Sequence, residues 1–411
     1  MSSSPIAAVL DELHEHLPDA LPCPPVVTGR DRQALLDALS SVPDPRRRRG
    51  VRHRFTPLLA AAVCAMLAGA RSFAAIAEWV ADLSPPARAS LALHGPIPAG
   101  TTIWRLLIAV DAQALQSALG SWSRACLPHR ADQQSRRGRR ARRVLAVDGK
   151  AMRATLHGND PVHLLAALDH ATSVVVAQVN VDVKTNEIPC FTQVLDQLDD
   201  LTDIVVSVDA MHAQTAHAEY LHRRGAHLLV TIKGNQPTLQ NRLTALPWKD
   251  VPVGHTNTGR AHGRIEKRTL KAVTVPAGLG FPHAAQAIQV VRKTRRINPK
   301  PGKKPRWHTE TVYAICTLPA EEATAAELAT WIRQHWHIEN RLHWIRDVTL
   351  GEDLHQARTG RGPHVLAIMR NLVISLLRLA GHDNIARALR HHARHPDQAI
   401  ALLTSAFPTS Q

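Results

Sequence analysis

The stretches VLAVDGK (144–150) and DIVVSVDA (203–210) decide how this chain folds. Each is a run of β-branched and aliphatic residues closed by an aspartate, Asp148 in the first and Asp209 in the second. Short continuous apolar runs bounded by turn residues predict strands buried on both faces. A carboxylate that closes such a strand sits at the rim of a sheet, where sites in open α/β folds form. Each residue alone has a plainer reading: Asp-Gly is a common turn pair, and Asp209 can cap the helix that follows. Together they have a chemical one, because ionised carboxylates at neighbouring strand ends carry a desolvation cost that a cation relieves. An all-oxygen ligand set suits a hard divalent ion, Mg²⁺ with Mn²⁺ as a substitute.

Further strands and helices follow outward from these runs. HLLAALD (163–169) and SVVVAQVNV (173–181) follow the first without an intervening helix, so three strands in a row predict an antiparallel meander. FTQVLDQLDDL (191–201) and AQTAHAEYLHRRG (213–225) read as helices on either side of the second run, and HLLVTIKG (227–234) as the next strand. Strands joined by helices predict parallel crossovers. A mixed sheet with helices on its faces is the α/β ribonuclease H-like architecture, expected over residues 144–249 and 319–380. Between them, residues 250–318 form a β-rich insertion with TLKAVTVP (269–276), AIQVVRK (287–293) and TVYAICTL (311–318) as strands. A basic loop, RKTRRINPKPGKKPR (292–306), joins the last two.

The third acid is expected on a helix. In HWHIENRLHW (335–344), α-helical spacing puts Ile338, Leu342 and Ile345 on an apolar stripe. His335, Glu339, His343 and Arg346 share the adjacent face. Glu339 reads as the third metal carboxylate, with His335 and Arg346 gripping phosphate; a surface charge network is the alternative. Three carboxylates can hold two Mg²⁺ ions. One activates a water or a 3′-hydroxyl, and the other stabilises the leaving oxygen of an in-line displacement at phosphorus.

Charge names the substrate class. The 411 residues carry a formal net charge of +16, which implies a polyanionic partner, double-stranded DNA in this reading. Residues 31–130 read as a small all-helical domain of the kind that meets DNA, with RQALLDALSSV (32–42) as its first helix and Thr101 and Thr102 as a later N-cap. Arg46, Arg47, Arg48 and Arg49 form a phosphate-contacting patch after that first helix. Residues 1–30 are a Pro-rich loose arm, 131–143 a basic linker, and 381–411 a basic C-terminal helix and tail. The fourteen-residue apolar run Pro57–Ala70 is too short to span a bilayer and reads as a buried helix. Five cysteines without CxxC spacing suggest neither a zinc site nor a disulfide framework, and the N-terminus lacks a signal-peptide layout. A cytoplasmic protein is expected.

Several segments then align with one family. These are LAVDGKAMR (145–153), KTNEIPCF (184–191), VVSVDAMHAQ (205–214), LLVTIKGNQPTL (228–239), HGRIEKR (262–268) and HWHIENRLHWIRDVTLGED (335–353). With LLDALSSVPDPRRRRGVRHRF (35–55), they resemble the DDE insertion-sequence transposases, in the branch that includes the H-repeat-associated proteins. The resemblance runs from about residue 31 to residue 380. It implies a catalytic triad of Asp148, Asp209 and Glu339, nicking of element ends, and joining of their 3′-hydroxyls to target DNA. It also implies assembly into a dimer or higher synaptic complex. Related enzymes carry a Tyr, Arg, Glu, Lys signature on the Glu helix; the matching positions here hold Ile332, His335, Glu339 and Arg346, with Arg333 nearby. Lys150, Lys233 and Arg264 are further candidate DNA contacts, as are Asn235, Gln236 and His262. The competing functions are a non-catalytic or domesticated DNA-binding protein and a structure-specific nuclease of the same fold.

Overall fold

The structure is a computed structural model that describes residues 29–47, 51–127, 142–153, 162–182, 185–261, 263–276, 278–297 and 304–404. Most of the expected arm and basic linker, Arg48, Arg49 and His262 lie outside the described residues.

The N-terminal part is helical: α1 (Gly29–Ser41), α2 (Phe55–Leu67), α3 (Phe73–Ala81), α4 (Pro85–Ser90), α5 (Gly100–Ala109) and α6 (Ala112–Ala125). Side-chain caps start three of them: Ser72 accepts from the Ala75 N–H, Ser84 from Ala87, and Asp111 from Gln113 and Ala114. Helix α5 begins earlier than an N-cap at Thr101 or Thr102 would place it, so both threonines lie in its first turn and Ala99 is the N-cap. Helix α2, the core of the apolar run, is buried continuously from Leu58 to Leu67, as a helix apolar on all sides must be.

The sheet has nine strands in the order β3-β2-β1-β4-β5-β9-β8-β7-β6. Strands β1 (Val144–Ala151), β2 (His163–Asp169) and β3 (Val175–Asn180) form the antiparallel meander. Helix α7 (Glu187–Leu195) leads to β4 (Val205–Val208), and α8 (Thr215–Arg223) to β5 (His227–Ile232); β1, β4 and β5 are parallel. After α9 (Pro237–Thr244) come β6 (His255–Ala261), β7 (Arg264–Thr274), β8 (Gln286–Arg296) and β9 (His308–Cys316), all antiparallel. Strand β9 pairs with β5, so residues 250–318 extend the same sheet sideways. Strand β6, HTNTGRA, has almost no apolar side chain and therefore no period-2 hydrophobic signal; its pairing with β7 makes it a strand.

The remaining helices are α10 (Ala325–His335), α11 (Gly362–Leu379), α12 (Ile385–Arg394) and α13 (Pro396–Thr404). By length and composition α11 would cross a bilayer, but its apolar window is 94% buried inside the molecule. It packs against α2, α5, α6 and β3. Helix α13 lies across α1 and α2, with Ala399 and Leu403 fully buried. The chain's C-terminal helices thus close over the N-terminal ones, and one hydrophobic cluster runs from Leu35 through the sheet to Leu403.

Candidate active site

The strand register brings two acids to one level. Strands β1 and β4 pair in parallel through Val147 and Val208, so Asp148 and Asp209 follow their last paired residues. On its other side β1 continues against β2, with Asp148 opposite Ala166 and Gly149 opposite Leu165, so the backbone of Asp148 is fixed. Asp209 leaves the sheet and caps a short 3₁₀ turn, Ala210–His212, its Oδ1 accepting from the Met211 N–H at 2.9 Å. Asp209 thus caps this turn and not the helix α8 expected after it, whose N-cap is Gln214, and the residue still stands beside Asp148.

Glu339 arrives from a helix that changes its winding. A capping box, Thr324 with Glu327, starts α10, which ends at His335. Two π-helical segments follow, Glu339–His343 and Ile345–Thr349. Wider winding shifts side chains around the axis, and π segments recur at functional sites. Glu339 is about half exposed, and its Oε2 lies 3.2 Å from His343 Nδ1. The same nitrogen is 3.7 Å from Asp148 Oδ2. One ligand atom each from Asp148, Glu339 and His343 lie within 4.8 Å of one another.

Electrostatics agree with a site short of positive charge. Burial, then the negative charges of Glu187, Asp209 and Glu339, push the Asp148 carboxyl up to about 7. The hydrogen bond with His343 holds Glu339 below the usual carboxylate range. Burial keeps His343 low, so it is a neutral imidazole whose Nδ1 either donates to Glu339 or, in the other tautomer, offers a lone pair to an ion. Carboxylates crowded onto a carboxyl that resists ionising, together with a neutral imidazole, form a donor set that fits a divalent cation. A second acid–histidine trio, Asp203, His227 and Glu322, is bridged instead by Arg142, which pairs with both acids.

Several expected DNA contacts are engaged elsewhere. Arg346 was expected to face phosphate; it is fully buried and paired with Glu352 at 2.6 Å, because the π winding turns its position inward. His335, also expected at phosphate, is half-buried against β4 with Nδ1 3.1 Å from the Ser207 hydroxyl, and burial lowers its pKa to about 4, so it is neutral. Lys150 points at Asp347, 2.6 Å away, and lies 3.8 Å from Asp353. Arg46 is clamped by Asp44 at 2.8 Å, leaving Arg47 as the exposed described member of that patch. Lys233 and Arg264 are exposed. Asn235 and Gln236 donate to the Ala210 and Ala213 carbonyls, tying the loop after β5 to the loop after Asp209. Ile332 packs against a separate hydrophobic cluster that includes Leu229, Ile288 and Leu328, and Arg333 donates to Asn257 on β6 at 3.2 Å.

Two groups escaped the sequence reading. Glu187, the first residue of α7, is buried beside Asp148 and bonded to two histidines. Glu352 is buried between Arg346 and Arg370, joining the π segments to α11. Glu187 sits in KTNEIPCF, where only a family match drew the eye; nothing in its spacing from Asp148 announces contact. Near Glu339 the helix also exposes Trp336 (63%), Trp344 (53%) and Val348 (57%), an apolar strip of a kind that marks contact surfaces.

Comparison with known proteins matches this layout. A family model described as "Transposase DDE domain" matches residues 139–376, and one described as "DDE_Tnp_1-associated" matches residues 36–123. The "H repeat-associated putative transposase YhhI" of Escherichia coli (strain K12) is 28% identical over 362 residues, covering 84% of this chain and 90% of that protein. An "Uncharacterized protein in dhlA 3'region" of Xanthobacter autotrophicus is 32% identical over 236 residues, 56% of this chain and 77% of that one. Among solved structures, "Cryo-EM structure of piggyBac transposase synaptic complex with hairpin DNA (SNHP)" aligns with TM-score 0.44 and 10% identity, over 95% of this chain and 88% of that chain.

Proposed function

The chain belongs to the DDE transposase family of insertion sequences, and on that premise we propose that it cleaves element ends and joins their 3′-hydroxyls to target DNA. The observation that carries this reading is the convergence of Asp148, Glu339 and His343 within 4.8 Å, with Asp209 at the next register position. The meander β3-β2-β1 followed by parallel β4 and β5 supports a ribonuclease H-like core, with the β6–β9 ribbon as its insertion.

In this reading Asp148, Asp209 and Glu339 hold two divalent ions, Mg²⁺ or Mn²⁺. Bound there, such ions supply an activated oxygen nucleophile and charge stabilisation at the leaving oxygen. The chain's own residues do the positioning. His343 fixes the Glu339 carboxylate by hydrogen bond, and it is itself fully enclosed. Lys150, held by Asp347, adds positive potential beside Glu339. Double-stranded DNA is the partner that the net charge of +16 supports. The ribbon supports it further, because Arg260, Arg264, Lys267 and Lys293 lie exposed on it. Joining two ends calls for at least a dimer, and the compartment is the bacterial cytoplasm.

The test is Asp209→Asn on a terminal-repeat duplex in Mg²⁺. End cleavage and joining are expected to vanish while DNA affinity stays within about twofold, since the substitution leaves the basic surface untouched. Wild-type-like cleavage by the variant would sink the assignment. Nicks without joined products would instead favour a nuclease of the same fold.

A further inference from the structure

Glu187 has no part in the reaction outlined above, yet its placement is specific. Asn186 caps α7, accepting from the Ile188 N–H at 3.0 Å, and this sets Glu187 as the first helical residue. The Glu187 side chain is 9% exposed. Its Oε1 lies 2.9 Å from His163 Nε2, and its Oε2 lies 3.3 Å from His212 Nε2. His163 opens β2 opposite Ala151 of β1. His212, fully buried, ends the 3₁₀ turn that Asp209 caps. Phe191, one turn along α7, has its ring centroid 5.4 Å from that of His212 and stacks on His217 at 4.0 Å. A Cβ at Gly149 would fall inside the Glu187 carboxylate, so only glycine lets the acid approach the strand there.

One carboxylate therefore touches the segment after Asp148 and the segment after Asp209. As mere scaffolding this is a poor arrangement. A well-packed apolar side chain would hold α7 without burying a charge. Glu187 moreover stands beside Asp148, its carboxylate pressed against Gly149. A buried carboxylate held there by two histidines adds negative charge where a cation would use it.

We propose that Glu187 is a positioning residue of the acid site: it clamps the Asp148 strand to the Asp209 turn through Gly149, His163 and His212, and adds negative potential for the divalent ion. The inference rests on reading Asp148, Asp209 and Glu339 as the ion's ligands. Carboxylates and histidines behind the ligands typically change metal affinity tenfold to a hundredfold when removed.

Titration calorimetry of Mn²⁺ into the full chain without DNA tests it, with melting in EDTA as the measure of fold. Glu187→Gln keeps the shape, turns one of the two acceptor oxygens into a donor NH₂, and removes the charge. Its Mn²⁺ affinity is expected to fall about tenfold or more, while it still melts cooperatively in EDTA. Unchanged affinity overturns the proposal, and so does a fall in Tm without a loss of affinity. Should Glu187→Gln not fold, Glu187→Asp keeps the charge, withdraws it by one methylene, and is judged by the same affinity criterion. Asp209→Asn is measured alongside. If wild type binds no Mn²⁺, or if Asp209→Asn binds it like wild type, the reading of the ligands fails; if only Glu187→Gln matches wild type, this inference alone fails.

Discussion

At the scale of single residues, the acid site is held together against its own repulsion. Asp148 has its carboxyl raised to about 7 by burial and by Glu187, Asp209 and Glu339, against 3.8 for a free aspartate. A raised folded-state pKa contributes stability that is full below the unfolded value and is lost as pH rises through the folded one. At pH 8 without metal, Asp148 is therefore a destabilising charge. Asp148→Asn should melt a few degrees higher than wild type in EDTA at pH 8, and Mg²⁺ is expected to raise the Tm of wild type but not of the variant. A lower Tm for the variant in EDTA would contradict this account of the site. The two aspartates were legible because their strands are local apolar runs. Glu187 was not, since its effect on Asp148 comes from an approach between β1 and α7 that no local pattern encodes.

At the scale of elements, the π-helical stretch after α10 decides which side chains meet the site. Seven residues after Glu339, straight α-helical spacing would return Arg346 to the same face; the observed winding buries it against Glu352 instead. Glu352 then serves two buried cations, Arg346 and Arg370, and holds the π segments onto α11. Removing it leaves both guanidinium groups enclosed without a counter-charge. Glu352→Ala should cost about 3–5 kcal/mol of unfolding free energy, read by urea titration, and disorder the Glu339 segment enough to abolish cleavage. A loss below about 1 kcal/mol would show that the pair is easily replaced. The β6–β9 ribbon makes a different prediction. Arg264 is exposed where β7 begins, after the positive-φ Gly263. If it meets phosphate, Arg264→Ala should weaken DNA binding evenly across sequences and reduce the salt slope by about 1. An unchanged slope would remove Arg264 from the interface.

At the scale of the whole molecule, the shared core has a consequence for pH. Burial lowers His170 to about 3 and His217, His335, His337, His355, His364 and His392 to about 4. In the unfolded chain histidine titrates near 6.5 (about 6.5 for a free imidazole). Between about 4 and 6.5 the unfolded chain therefore binds more protons, so falling pH favours unfolding. Asp148 acts in the opposite sense, as do Asp169 and Asp347, whose carboxyls burial also raises, against seven histidines in the β2–β3 turn, on α8, at and after the end of α10, and on the C-terminal helices. Melting in EDTA should be nearly flat above pH 7 and should fall steeply from pH 6.5 to 5, with a slope of several protons. A flat profile down to pH 5 would mean that these imidazoles reach water.

The sequence by itself determined the strands that carry Asp148 and Asp209, the meander that the first of them opens, and the buried helix α2. Those features depend on apolar periodicity and on residues adjacent in the chain, which are local properties. Its place on a helix face, together with the motif resemblance, singled out Glu339. Tertiary structure alone decided that β6 is a strand, that β9 docks on β5, and that α13 closes over α2. It also decided that Arg346, His335 and Lys150 are held by internal partners, and that Glu187 presses against Gly149. A side chain's burial and its charged neighbours are set by segments far apart in sequence. The same arginine can therefore be a phosphate contact or a core ion pair, and only the fold chooses between them.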